Sequence, residues 1–178
     1  MATRPSRGRR AHFSLRAIVR GWPWYYETTR VFPYEFLLRT VPNSIGYYTK
    51  TMGNWAINSL AFEPVQDDED GISLFREDFV TREYLASVNK HPMGVRVSRV
   101  RAKECTSLHV SLKPSPREDQ PPGHLVIPEM PFMNKKSPQG KLRRQEIQRL
   151  ALMLARIASN NEIYTPPGLP DPAARTRN

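Results

Sequence analysis

The side chains able to do metal, proton or nucleophile chemistry are few and scattered. The histidines are His12, His91, His109 and His124, and no two have the i, i+4 spacing that sets a metal pair on one helical face. Cys105 is the only cysteine, which forbids an internal disulfide and a clustered-thiolate zinc site and fits a reducing compartment. Cys105 and His109 are close in sequence, and on a strand their even separation would place both on one face. No neighbouring residue would then orient the imidazole, so the pair is not a candidate catalytic unit. The chain has no glycine-rich phosphate loop, no Gly-x-Ser-x-Gly elbow and no paired-carboxylate motif. The expectation is a protein without catalysis, metal or cofactor.

The nearest approach to a metal site is acidic. With Gly71 at the sixth position of a calcium loop, Asp68 and Asp70 fall at positions three and five and Glu77 at position twelve, where a bidentate ligand belongs. Gln66 at position one, Ser73 at position eight and Pro64 before the loop all depart from that pattern. A solvated acidic loop able to meet a basic partner is the expected reading of residues 63–71.

The elements that would carry these residues are short. With 17 prolines, 39% hydrophobic residues and a mean hydropathy of -0.58 over 178 residues, the chain can build one small core cut into brief elements. The fold class expected is α+β: a small antiparallel sheet packed with a few short helices, between a basic N-terminal arm and a proline-rich tail. The divisions are an arm over 1–26, a core over 27–160 and an extended tail over 161–178. Pro33 opens a short helix ending before Pro42. Asn43 or Ser44 caps a second helix to about Leu60, with Ile45, Tyr48, Met52 and Trp55 on one face. Asp78 or Thr81 caps a third through about Asn89, burying Val80, Tyr84, Leu85 and Val88. Strands are expected over 94–98, 107–113 and 124–127, with Arg96, His109, Ser111 and Lys113 opposite the aliphatics. Ser137-Pro138 starts a helix to about Ser159 whose apolar stripe is Ile147, Leu150, Met153, Leu154 and Ile157. Its basic residues Lys141, Arg144, Arg149 and Arg156 fall elsewhere on the circumference, on a face that meets either solvent or phosphates.

Charge supplies the functional signal. The formal net charge is +10, which favours polyanionic or acidic partners. Residues 1–26 carry Arg4, Arg7, Arg9, Arg10, Arg16 and Arg20 and no acid, whereas residues 63–83 hold eight acids against two arginines. The first segment has the composition of a mitochondrial presequence, with Phe13, Leu15, Ile18 and Val19 able to share a helical face; a basic arm binding phosphates or an acidic surface is the other reading. Trp22, Trp24 and Tyr25 follow at once. Aromatics beside arginines stack on unpaired bases or anchor a protein contact. The longest apolar stretch, 150–158, contains Arg156 and is too short to span a membrane.

The presequence-like arm, the basic composition and the proline-rich chain together resemble the mitochondrion-specific accessory proteins of the mitochondrial ribosome. Pro23-Trp24-Tyr25 after the basic stretch is similar to the Pro-x-Trp-Tyr entry of one small-subunit family, but lacks the intervening residue, and no functional residues are carried across. The resemblance implies a structural subunit in the mitochondrial matrix, held in a large assembly by rRNA phosphates and neighbouring proteins. Arg4, Arg7, Arg9, Arg10, Arg16, Arg20, Trp22, Trp24, Tyr25, Arg96, Lys113, Lys141, Arg144, Arg149 and Arg156 are the candidate contacts. The alternative is a peripheral accessory subunit on the matrix face of a respiratory complex or of ATP synthase, meeting acidic subunits or anionic lipid headgroups.

Overall fold

A computed structural model describes residues 30–51, 54–66, 68–133 and 138–173. The fold is mixed α+β, built on a six-stranded antiparallel sheet. Strand β1 (Phe36–Pro42) leads through a 3-10 turn at Ile45–Tyr47 into a separate hairpin, β2 (Tyr48–Thr51) and β3 (Asn54–Ile57). A second 3-10 turn, Ser59–Phe62, precedes β4 (Ile72–Arg76) and helix α1 (Arg82–Val88). Then come β5 (Val95–Arg101), α2 (Ala102–Thr106), β6 (Lys113–Pro114), β7 (His124–Ile127), α3 (Pro138–Ser159) and β8 (Ile163–Tyr164). The sheet order is β6-β7-β4-β1-β5-β8, so β1 and β4 are central and have both faces covered.

One face packs beneath α3. Leu37, Val41, Ile72, Leu74, Val100, Leu125 and Ile127 meet Ile147, Ala151, Leu154, Ala155 and Ala158 of the helix in the larger hydrophobic cluster. The other face builds a smaller cluster from Leu38, Phe75, Val80, Leu85 and Val97, roofed by α1. Alternation along β4 and β7 sorts the two: Leu74 and Leu125 face α3, whereas Phe75 belongs to the second cluster.

Thr81 caps α1 through its hydroxyl, which accepts from the Tyr84 N–H at 3.2 Å. Val80 and Leu85 are buried there as expected, but Tyr84 is only partly buried and Val88 is exposed. The valines of β5, the strand at His124–Ile127 and the helix from Pro138 to Ser159 also lie where the sequence puts them. On α3, Ile147 and Leu154 are buried, and Leu150, Met153 and Ile157 partly so.

Three expectations are corrected. Residues 36–42 form the central strand and not a helix, because Leu37, Leu38 and Val41 must bury on both faces. Residues 43–60 form the hairpin and its flanking 3-10 turns. Glycine weakens any helix there, Tyr48 and Ile57 pair across the ladder, and Ile45, assigned to a buried face, is exposed. Strand 107–113 shrinks to its last residue, Lys113, which pairs with Val126 at the start of β6. The Ser107 and Thr106 hydroxyls donate back to the carbonyls of Glu104 and Lys103 at 2.7 and 3.1 Å, holding the chain in helical turns, and His109 takes a φ of 60°.

In the acidic loop Glu69 and Asp70 are exposed, as expected, and Asp68 is not. Asp68 is 6% exposed, its carboxylate 3.8 Å from Arg39. Glu77 pairs with Arg82 and Arg99, and Asp70 with Arg117. Among the described residues no group of three or more His, Cys, Asp or Glu is placed to hold a metal ion.

Candidate functional site

The cleft beside β1 follows from how the central strands meet and part. At one end they are locked by a buried ion pair: Arg76 donates through Nε to Glu35 Oε2 at 2.7 Å and through Nη2 to Oε1 at 2.8 Å. The β1–β4 ladder then runs only through Leu37↔Arg76 and Leu38↔Phe75, while β1 continues along β5 as far as Pro42. Past Leu38 the ladder is replaced by a side chain. Arg39 donates through Nη1 to the Ser73 carbonyl at 2.8 Å and through Nε to the Ala61 carbonyl at 3.1 Å, wedging the gap.

A cavity of about 540 Å³ opens at this divergence. Arg39, Ser73, Phe75 and Tyr47 line it with Tyr84, Leu85 and Val88 of the α1 roof, and Glu118 and Asp119 from the β6–β7 connection. Burial lowers the pKa of the Arg39 guanidinium, and Asp68 opposes that shift by favouring the charged form. The Asp68 carboxylate is itself held by the Val65 N–H at 3.0 Å.

Behind the cavity wall, Ser73 and His124 meet. The β4–β7 register sets Phe75 opposite His124, which brings the imidazole diagonally toward Ser73 on the same face. His124 Nδ1 lies 2.6 Å from the Ser115 carbonyl and Nε2 lies 3.0 Å from Ser73 Oγ. A carbonyl can only accept, so Nδ1 carries the proton, and in the neutral ring Nε2 accepts from the serine hydroxyl. Burial lowers the His124 pKa, partly offset by that Ser115 bond, and favours the neutral ring. The Phe75 ring, 5.4 Å away, flanks the imidazole.

The cationic candidates lie apart from the cleft. Lys141, Arg144, Arg149 and Arg156 are all exposed on α3, joined by Arg143. At about 100° per residue, Lys141, Arg149 and Arg156 fall within roughly 80° of one another, opposite the buried stripe. The helix has one acid, Glu146, 3.9 Å from Arg143. Leu142 and Leu152 share this outer surface, 73% and 44% exposed.

Arg96 does not join that face: its Nε donates to Asn43 at 3.1 Å and its guanidinium covers the Tyr48 ring. Lys113 is exposed on β6, the sheet edge four strands from β5, or about 19 Å at ordinary strand spacing. Arg4, Arg7, Arg9, Arg10, Arg16, Arg20, Trp22, Trp24 and Tyr25 lie outside the described residues, as does the arm they form. Among the described residues no helix is long and apolar enough to cross a membrane.

Comparison with known protein families, with curated proteins and with solved structures finds no match to this chain.

Proposed function

We propose that this chain is a structural, RNA-contacting subunit of the mitochondrial ribosome, with the outer face of α3 laid along rRNA phosphates and the arginine-rich segment 1–26 extending the contact. The observation that carries this reading is the α3 surface: five exposed cations with a single acid among them. Backbone phosphates attract cations and demand no base-reading geometry, so such a face positions a protein without selecting sequence. The acids of 63–83 support it as well. Asp68, Asp70 and Glu77 are engaged by the protein's own arginines, which reduces the charge available to repel RNA.

One observation favours a second reading, a matrix-side accessory subunit of a respiratory complex or of ATP synthase. Leu142 and Leu152 stand exposed among the α3 cations, a combination suited to anionic lipid headgroups. Sedimentation of particles from isolated mitochondria separates the two. The ribosomal reading expects co-migration with rRNA, release by nuclease, and stripping that steepens with salt. Co-migration with an RNA-free membrane complex contradicts it.

A further inference from the structure

We infer that Phe32 and Tyr34 form a platform on which unpaired RNA bases stack, with Arg30, Arg101 and Lys103 receiving the adjoining phosphates. The inference takes its ligand from the RNA-contacting reading on which it rests, and it adds a second surface and the form of RNA bound there.

One exposed ring is ordinary on a protein surface, but here two are held together. Their centroids are 5.6 Å apart and their planes 12° from parallel, with Phe32 37% and Tyr34 46% exposed. The turn that carries them is fixed from both sides. Within it, the Glu35 N–H donates to the Phe32 carbonyl at 3.0 Å, and the Phe32 N–H donates to Glu35 Oε1 at 3.0 Å, the carboxylate already locked by Arg76. From α2, the Lys103 N–H donates to the Pro33 carbonyl and the Ala102 N–H to the Glu35 carbonyl, both at 2.9 Å. Pro33 stands between the two aromatics and fixes its own φ. A planar group docking on rings so held costs little further ordering.

Charge selects the occupant. The bonds from α2 set its first turn against the platform, so the exposed Arg101 and Lys103 flank it, and the exposed Arg30 precedes Phe32 by two residues. Among the described residues none of these three cations forms an ion pair. The Arg101 guanidinium is steadied 4.6 Å over the Phe36 ring, and the one acid of α2, Glu104, is turned onto the Arg101 N–H at 2.9 Å. Cations beside exposed aromatics are the combination that holds single-stranded nucleic acid, the rings taking base faces and the cations the backbone. In a duplex those faces are covered by neighbouring bases, so the platform suits unpaired ones. The chain just ahead of Arg30 carries the same two residue classes in Arg16, Arg20, Trp22, Trp24 and Tyr25.

The test compares two RNA probes on the purified full chain, a short unstructured single strand and a hairpin duplex of matching length. Phe32→Ala combined with Tyr34→Ala should weaken the single strand about tenfold or more and leave both the hairpin affinity and the salt slope unchanged. Arg101→Ala combined with Lys103→Ala should instead lower the salt slope of the single strand by roughly 1–1.5. Ultraviolet crosslinking of the native chain to the single strand, followed by peptide mapping, should place RNA on Phe32 or Tyr34, and this decides the matter if the double alanine variant does not fold. Equal losses on both probes, no loss on either, or crosslinks confined to other residues overturn the inference and assign the rings to a protein contact, while the reading of α3 stands on its own. A native chain that binds neither probe overturns both.

Discussion

Replacing Glu35 with alanine removes one partner of the buried pair that locks β1 to β4 and leaves the other inside. Both side chains are at most 2% exposed, and the carboxylate accepts two bonds from Arg76 and a third from the Phe32 N–H at 3.0 Å. Two charge-assisted bonds are worth about 1.5–3 kcal/mol each. The Arg76 guanidinium, set 4.7 Å over the Phe79 ring, then stays in the buried site without the carboxylate that faced it. Breaking such a pair from one side costs about 3–5 kcal/mol, a large share of the roughly 5–15 kcal/mol that holds a domain together. Urea unfolding followed by tryptophan fluorescence should show the midpoint falling with its slope unchanged, and Tm should drop by about 6–20 °C. Glu35→Leu combined with Arg76→Met should recover much of the loss, because the double change removes the buried guanidinium as well. If Glu35→Ala unfolds within about 1 kcal/mol of the native chain, the reasoning fails and the pair is not desolvated.

Two further outcomes test the fold around the sites. Gly71 has a φ of 120°, and an added Cβ would sit 2.1 Å from the Ile127 carbonyl oxygen, so Gly71→Ala should cost about 3 kcal/mol or more in urea unfolding; a near-native midpoint would show that β4 and β7 do not meet there. The Cys105 thiol is pushed up to about 12 by burial and, secondarily, by Glu104. Iodoacetamide at pH 8 should therefore leave the native chain unmodified and alkylate it quickly in denaturant, whereas rapid native labelling would contradict the packing of α2.

How far the sequence could be read depended on whether the deciding signal was local. Thr81 as a cap, Pro138 at the start of a long amphipathic stretch and the alternating Val95 and Val97 of 94–98 each announce an element within a few residues, and α1, α3 and β5 follow them. For β1 the signal was ambiguous, since Leu37, Leu38 and Val41 satisfy helical spacing as well as a strand buried on both faces. Residues 43–60 misled because Tyr48, Met52 and Trp55 recur at helical intervals, while the partner that makes Tyr48 a strand residue is Ile57 across a hairpin. The cationic face of α3 was legible, being a property of one helix. The cleft was not: Ser73 and His124 are 51 residues apart and meet through strand register, and Arg39 reaches Ser73 because one ladder ends early. The nearest sequence signal was His124 at the head of a short apolar run, which marks the strand and says nothing of its partner.

The central claim, that α3 lies along RNA phosphates, is tested most directly by the salt dependence of RNA binding by the purified chain. Log K against log salt should fall with a slope of about 0.7–0.9 per phosphate contact. Lys141→Ala, Arg149→Ala and Arg156→Ala remove three exposed side chains, and together they should lower that slope by about 2–3 with the helix intact by circular dichroism. A slope unchanged by the triple substitution, or a native chain that binds no RNA at low salt, contradicts the account.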